Sequence, residues 1–194
     1  MLEHILGQEW EIVPAGGATG EAFIAINGEN KLFLKRNSSP FLAVLSAEGI
    51  VPKLVWTRRL ESGDVITAQR WVNGRELSQE EMQDKMVARL LKKIHQSVPL
   101  RSMLLRMGKV PLKPEQLLNN MKTSLDDELS SISCIRKAVE ILDNMLSDIA
   151  CDECVVCHFD VNHNNWLLSQ EDEQLFLIDW DGAMVADPAI DLGM

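Results

Sequence analysis

The sequence has few basic residues and no long apolar run. Its 194 residues include 19 Lys and Arg against 29 Asp and Glu, so the formal net charge is −10. An acidic chain repels phosphate backbones, which argues against broad nucleic-acid binding. No stretch approaches the ~20 apolar residues that cross a bilayer, and residues 1–10 lack the basic flank and apolar run of a secretory signal. We therefore expect a cytoplasmic protein with no membrane contact and no direct nucleic-acid partner.

The remaining composition is that of an ordinary globular protein. Hydrophobic residues make up 46% of the chain and charged residues 25%, which excludes disordered and fibrous classes. A chain of this length forms one large domain or two small lobes, and it can bury a substantial core.

Cysteine is also scarce, but three of the four cysteines are closely spaced. Cys151, Cys154 and Cys157 form a Cys-x-x-Cys-x-x-Cys run, and Cys134 is the fourth. Cytoplasmic disulfides are rare, and this spacing can serve an iron–sulfur cluster or another metal. Residues 153–157 equally fit a short buried strand, in which Cys154 and Cys157 face opposite sides. We favour the strand and keep a metal-cluster protein as an alternative.

The N-terminal part has the signals of an antiparallel sheet with one helix. Asn27-Gly28 predicts a type I′ hairpin turn, and Ser39-Pro40 predicts the start of a helix that Gly49 ends. Strands are predicted over residues 10–14, 22–26, 32–35, 53–57 and 65–71.

The remainder is predicted to be helical and to end in a hairpin. Ser78 and Glu81 have the capping-box form, and three Leu/Met stripes predict core-facing helices over 82–95, 114–129 and 135–149. Strands are predicted over 153–157, 165–168 and 175–179, with the acidic run 170–174 as a solvated turn. These patterns predict an N-lobe at 1–72 and a C-lobe at 73–194.

The sharpest chemical signal is the pattern H-x-D-x-x-x-x-N between two predicted strands, at His158, Asp160 and Asn165. Asp179-Trp180-Asp181 follows at the end of the next strand. Phosphoryl transfer needs such a set: one carboxylate to orient the attacking hydroxyl, and a carboxamide with a second carboxylate to hold Mg²⁺.

This segment resembles the catalytic loop and metal-binding turn of the aminoglycoside phosphotransferase/choline kinase family. The family pattern continues with D-P-x-x-D-L, which is present at residues 187–192. The resemblance implies an α+β, two-lobed protein-kinase-like fold, with an antiparallel N-lobe sheet carrying one helix and a helical C-lobe carrying the catalytic hairpin. It implies Asp160 and His158 as catalytic-loop residues, with His158 supporting the loop, and Asn165 and Asp179 as metal ligands.

The N-terminal part carries weaker signals that agree with this family. Lys35 resembles the lysine that contacts nucleotide phosphates, Glu48 is a possible partner for Lys35, and Gln69 and Trp71 lie in a segment that resembles the adenine-binding hinge. The glycine-rich stretch that would cover the phosphates comprises Gly16, Gly17, Ala18, Thr19 and Gly20. Taken singly, glycines in a hairpin turn the chain, and Lys35 and Glu48 are ordinary surface charges. Together and in this order they support one another.

The chain looks closer still to the YtmP-like branch, which includes the cell cycle regulator Z proteins. That resemblance implies an ATP- and Mg²⁺-dependent kinase for a hydroxyl of a small sugar-type substrate, such as ribose, deoxyribose or a nucleoside. It also implies a role in division through the FtsZ division protein and the DnaA initiator. Because the family continues beyond D-P-x-x-D-L with further helices, we expect the C-lobe to be truncated here. The alternatives are a catalytically impaired kinase-like adaptor for division proteins and a choline- or aminoglycoside-type kinase.

Overall fold

The computed structural model describes residues 3–16, 21–146 and 153–193. Its contacts group the chain into two compact units. The first unit contains Met1–Leu91 and Val161–Asp181, and the second contains Lys92–Asp160 and Gly182–Met194. The predicted lobe boundary at residues 72 and 73 stays a prediction. No helix among the described residues is both long and apolar enough to span a membrane.

The first unit is built on a five-stranded antiparallel sheet with the order β1-β2-β3-β5-β4. The predicted hairpin joins β2 to β3, but its two loop residues are Gly28 and Glu29, because Asn27 still pairs with Asn30. Of these residues only Gly28 has a positive φ, +59°, so the predicted type I′ turn centred on Asn27 and Gly28 is wrong. One face of the sheet buries Ala25, Leu34, Ile66 and Ala68. The strands are β1 (Glu11–Pro14), β2 (Ala22–Asn27), β3 (Asn30–Arg36), β4 (Leu54–Arg59) and β5 (Val65–Arg70).

Two helices lie between or before the strands of this sheet, α1 (Glu3–Leu6) and α2 (Phe41–Ala47). The Ser39 hydroxyl accepts the Phe41 N–H at 3.2 Å, and Gly49 follows the helix with φ +67°. The two predicted end residues of α2 therefore act as the sequence indicates. The Ser39 hydroxyl satisfies a backbone N–H of the first turn that has no partner within the helix, and Gly49 tolerates the left-handed conformation that ends the helix.

A smaller three-stranded sheet completes the first unit. Its strands are β6 (Gly74–Glu76), β8 (Trp166–Ser169) and β9 (Leu175–Leu177), in the order β6-β8-β9. The strands β8 and β9 form the predicted hairpin, and the acidic run between them is an exposed turn.

The helices that follow residue 77 differ from the prediction in three ways. The Ser78–Glu81 capping box is present, but it starts a 3-10 turn at Glu80–Gln83, and α3 begins only at Lys85 and ends at His95. The predicted helix over 114–129 is two helices, α5 (Pro114–Ser124) and α6 (Asp127–Ser131), because the Asp126 carboxylate caps the second one. The third difference is α4 (Val98–Arg106), a helix that was not predicted from the sequence.

The Leu/Met stripes of the later helices are less buried than predicted. In α5, Leu118 is buried, but Met121 is 40% exposed. Helix α7 (Ser133–Leu146) packs on α5 and α6 and still leaves Leu142 40% exposed. The predicted extension of this helix to residue 149 lies outside the described residues. The second unit also contains β7 (Val155–Cys157), paired antiparallel with β10 (Met184–Ala186), and α8 (Ala189–Leu192).

Candidate active site

The first unit contains a cavity of about 640 Å³, and all of its lining residues belong to that unit. This volume lies in the range of small-molecule and cofactor sites. Predicted site residues from both the N-terminal and the C-terminal part of the chain line it: Gly16, Lys35, Gln69, Trp71, Asn165 and Asp179. The predicted Gly17, Ala18, Thr19 and Gly20 lie outside the described residues.

The β8–β9 hairpin places Asn165 and Asp179 at one end of this cavity. The ladder ends with Trp166 opposite Leu177, and one step further the Ile178 N–H donates to the Asn165 carbonyl oxygen at 2.8 Å. Asn165 therefore lies across from the residue that precedes Asp179. Asp179 leaves the strand with φ +64°, a sparsely populated conformation for a non-glycine residue.

Trp180 fixes the turn that follows Asp179. Its side chain is buried, and the indole Nε1–H donates to the Leu177 carbonyl oxygen at 2.7 Å. The ring packs edge-to-face on Phe41, with ring centroids 5.7 Å apart and an interplanar angle of 70°. A large aromatic anchor thus holds the chain between Asp179 and Asp181.

Lys35, in β3, supplies a positively charged ammonium group to the cavity. The backbone of Lys35 is held on both sides, opposite Ala22 in β2 and Thr67 in β5. Its ammonium Nζ donates to an Asp181 carboxylate oxygen at 3.1 Å and lies 3.7 Å from an Asp179 carboxylate oxygen.

Glu48 is half-buried at the C-cap of α2. The predicted pairing of Glu48 with Lys35 stays a prediction.

Much of the cavity lining is apolar. Side chains from β3, α2, the segment between α2 and β4, and the hairpin region contribute Phe33, Phe41, Leu42, Leu45, Val51, Leu167 and Ile178. The buried Gln69 is fixed there, because its amide Nε2 donates to the Pro52 carbonyl oxygen at 2.8 Å. An apolar slot beside a charged end suits a flat base joined to an anionic tail.

The charged end has the donor set of a magnesium site. Asn165, Asp179 and Asp181 offer one amide and two carboxylate groups, and hard Mg²⁺ prefers such oxygen ligands. The residues present therefore fit Mg²⁺ held against phosphate. Asp181 is a residue to which the sequence analysis gave no role.

In the second unit, the segment of His158 and Asp160 is held by hydrogen bonds to a buried carboxylate. The two Asp191 carboxylate oxygens accept the backbone N–H groups of His158 and Phe159, each at 3.0 Å. The buried His158 ring accepts the Asp160 N–H at Nδ1, at 3.3 Å, and the Asp160 residue is exposed. Phe159 has φ +74°, a strained conformation for a non-glycine residue. The Asp191 carboxylate, which accepts the N–H groups of His158 and Phe159, therefore acts as a clamp on this strained segment. This geometry fits His158 as a support of the loop.

Asp191 also contacts His95 at the end of α3, with His95 Nε2 and Asp191 Oδ2 3.0 Å apart. Burial raises the pKa of Asp191, but hydrogen bonds from His95, Phe159 and His158 outweigh it, and the pKa is lowered. Asp191 is therefore a carboxylate at neutral pH. Asp191 is part of the D-P-x-x-D-L pattern, but no role was predicted from the sequence for Asp191 or His95.

Cys157 has the structural surroundings that the strand interpretation predicts. It is buried in β7, and its Sγ lies 3.7 Å and 3.4 Å from the carbonyl oxygens of Ala186 and Asp187. Burial and the Asp191 charge raise its pKa to about 12, so it is a thiol at neutral pH, whereas metals bind the thiolate. Sγ also lies within 4.8 Å of ligand atoms of His95 and Asp191. Of these three side chains, His95 and Asp191 are hydrogen-bonded to each other, whereas Sγ contacts backbone carbonyl oxygens. Cys151 lies outside the described residues.

The chain matches the sequence profile of a known protein family. The sequence profile described as "Phosphotransferase enzyme family" matches residues 12–194. The fold is similar to the choline kinase LicA from Streptococcus pneumoniae, with a TM-score of 0.68 and 19% identity over 98% of this chain and 71% of that one. LicA has also been solved in complex with AMP, and that structure matches with a TM-score of 0.60 and 20% identity over 96% of this chain and 68% of that one.

Two further crystal structures have the same fold. A putative aminoglycoside phosphotransferase from Ralstonia eutropha gives a TM-score of 0.75 and 16% identity over 99% of this chain and 67% of that one. An ethanolamine kinase from Plasmodium vivax gives 0.60 and 16% identity over 95% of this chain and 59% of that one. The chain thus spans about six to seven tenths of the length of these proteins. It has the expected protein-kinase-like fold and belongs to the phosphotransferase enzyme family.

Proposed function

We propose that this member of the phosphotransferase enzyme family transfers the γ-phosphate of ATP to a hydroxyl group of a small molecule. The observation that carries the proposal is the first-unit cavity, whose lining brings together Lys35, Asn165, Asp179 and a large set of apolar side chains. An ammonium group, oxygen ligands for a metal and apolar surface for a base are what a nucleotide with its metal requires.

In this proposal the nucleotide lies in the first unit with its base in the apolar part, near Gln69 and Trp71. The phosphates extend to Lys35, with Gly16–Gly20 covering them as the resemblance implies. Asn165 and Asp179 hold Mg²⁺, which neutralises phosphate charge when bound. Most of the rate gain in such a site comes from positioning and charge neutralisation.

Asp160 is proposed to align the acceptor hydroxyl and to receive its proton. Its carboxylate is exposed, while its backbone N–H is held by the His158 ring. An exposed residue on a backbone held by a buried side chain suits a group that must meet a substrate. His158 acts as a positioning residue, because its buried Nδ1 already accepts the Asp160 N–H.

The acceptor is proposed from the YtmP-like resemblance to be ribose, deoxyribose or a nucleoside. The names of the similar structures add choline, ethanolamine and aminoglycosides to the compounds that need testing. A division role through FtsZ and DnaA follows from the branch resemblance alone and stays a prediction.

A screen of these acceptors with MgATP tests the proposal, with phosphorylated product detected by mass spectrometry. We expect product from at least one acceptor, a large loss with Asp179→Ala, and a loss with Asp160→Asn. Glu173→Gln is the matched control, because it removes an exposed carboxylate from the turn of the same hairpin outside the cavity.

Unchanged turnover in Asp160→Asn or Asp179→Ala would refute the assignment of these residues. Nucleotide binding without product from any acceptor would support the adaptor alternative instead.

A further inference from the structure

Two carboxylates share one ammonium at the charged end of the first-unit cavity. Lys35 Nζ is 3.1 Å from an Asp181 oxygen and 3.7 Å from an Asp179 oxygen. Asp179 has a proposed role as a metal ligand, but its competitor Asp181 makes the shorter contact.

We propose that Asp181 holds Lys35 in the nucleotide-free protein and competes with nucleotide phosphate for its ammonium. This inference rests on the proposed function, because it assumes that a nucleotide uses Lys35. Asp181 is then a positioning residue that sets nucleotide affinity and makes binding depend on the metal.

The backbones of the two partners are fixed, so the pair is built into the fold. Lys35 is in the middle strand of the large sheet, between β2 and β5. Asp181 follows Trp180, whose buried ring is anchored by Leu177 and Phe41. A contact between residues 146 positions apart in sequence therefore needs no ordering of the backbone when the nucleotide leaves.

The side chains, in contrast, can separate easily. The Asp181 side chain is 69% exposed and the Lys35 side chain 28% exposed, so water can solvate the carboxylate once it is released. An exposed ion pair is weak enough for a ligand to displace, on the order of a two- to five-fold effect on an equilibrium. The pair is thus a resting contact that a phosphate can replace.

The charges explain why the metal matters. One ammonium between two carboxylates leaves an excess negative charge where the phosphates must lie, and like charges repel. A divalent cation held by Asp179 and Asn165 offsets that charge, so Lys35 can turn to the phosphate. Without the cation, both carboxylates keep their hold on Lys35.

Calorimetric titration of ADP into the protein in EDTA tests the inference. We expect Asp181→Asn to tighten metal-free ADP binding by about two- to five-fold, and added salt to shrink the difference. In a Lys35→Met background the same Asp181→Asn change should have no such effect, because the ammonium that Asp181 withholds is gone.

Glu76→Gln is the matched control, since Glu76 lines the same cavity and loses the same charge. Its effect should be equal with Lys35 and with Met at position 35. Thermal melting of every variant checks that it is folded.

Equal tightening by Asp181→Asn in both backgrounds would overturn the inference, because charge repulsion alone would then explain it. Weaker ADP binding in Asp181→Asn would overturn it as well. If the wild-type protein binds ADP neither with nor without Mg²⁺, the proposed function itself fails, and this result is distinct from the other two.

Discussion

Replacing Asp191 with alanine should strongly destabilise the second unit. The Asp191 carboxylate is buried and accepts two backbone N–H groups at 3.0 Å, and it contacts His95 at the same distance. Its removal leaves one buried and one part-buried N–H without an acceptor, and each buried unsatisfied donor costs about 1–3 kcal/mol. Breaking a buried charged network costs about 3–5 kcal/mol in total, and we expect Asp191→Ala to lose this much.

Thermal and denaturant unfolding measure the effect. In a chain of this size, about 1 kcal/mol shifts the melting temperature by about 2–4 °C, so we expect a fall of about 6–20 °C. Asp143→Asn is the control, since it breaks only the exposed Lys122 ion pair and should change stability by less than about 1 kcal/mol. A fall of under about 1 kcal/mol for Asp191→Ala would refute the clamp.

The pH dependence gives an independent check on the same residue. Because the folded-state pKa of Asp191 is lowered, its contribution to stability is present above the ordinary carboxyl pKa and is lost as the pH falls below it. The stability difference between the wild type and Asp191→Asn should therefore be constant near pH 7 and shrink in acid. A difference that grows in acid would contradict the assignment of a native carboxylate.

Three further predictions concern other parts of the chain. Gly74→Ala should destabilise the protein in thermal melting, because a Cβ there lies 2.6 Å from a backbone oxygen of β8; an unchanged melting temperature would contradict this close approach. Cys157, whose pKa is raised to about 12, should resist a thiol reagent at pH 8 until the protein unfolds, while the exposed Cys134 reacts; equal rates would contradict its burial. The ion pair with Arg75 lowers the pKa of Glu81 to about 2, so Glu81→Gln should lower the melting temperature at pH 7, and this deficit should shrink between about pH 4.5 and pH 2.

The elements that the sequence predicts well are those with local signals. The β2–β3 hairpin, the ends of α2 at Ser39 and Gly49, and the β8–β9 hairpin all depend on residues close in sequence. Helix α4 was missed although Ser97 caps it through the Leu100 N–H at 3.3 Å. It was missed because its apolar residues do not form a clear helical stripe.

Burial was harder to predict than helix formation. A stripe such as that of α7 shows that a helix has an apolar face, but not how completely other elements cover that face. Leu142 and Met145 remain 40% and 56% exposed although they fall on strongly amphipathic sequence. Only the packing of distant segments determines such exposure.

The same distinction applies to the candidate site. Asn165 and Asp179 were predicted because the motif places them on two strands of one hairpin. The contacts of Lys35 with Asp181 and of His95 with Asp191 join residues 146 and 96 positions apart. No local pattern indicates such partners, so the clamp and the resting ion pair became visible only in the fold.

The most direct test of a metal–nucleotide site in the first unit is an electron paramagnetic resonance titration with Mn²⁺ and ADP. Mn²⁺ takes the oxygen ligands that Mg²⁺ prefers, and bound and free ions give different signals. We predict that the wild type and Glu173→Gln bind Mn²⁺ together with ADP, and that Asn165→Ala and Asp179→Ala lose this binding while remaining folded. Equal Mn²⁺–ADP binding by all four proteins would contradict the assignment of the site.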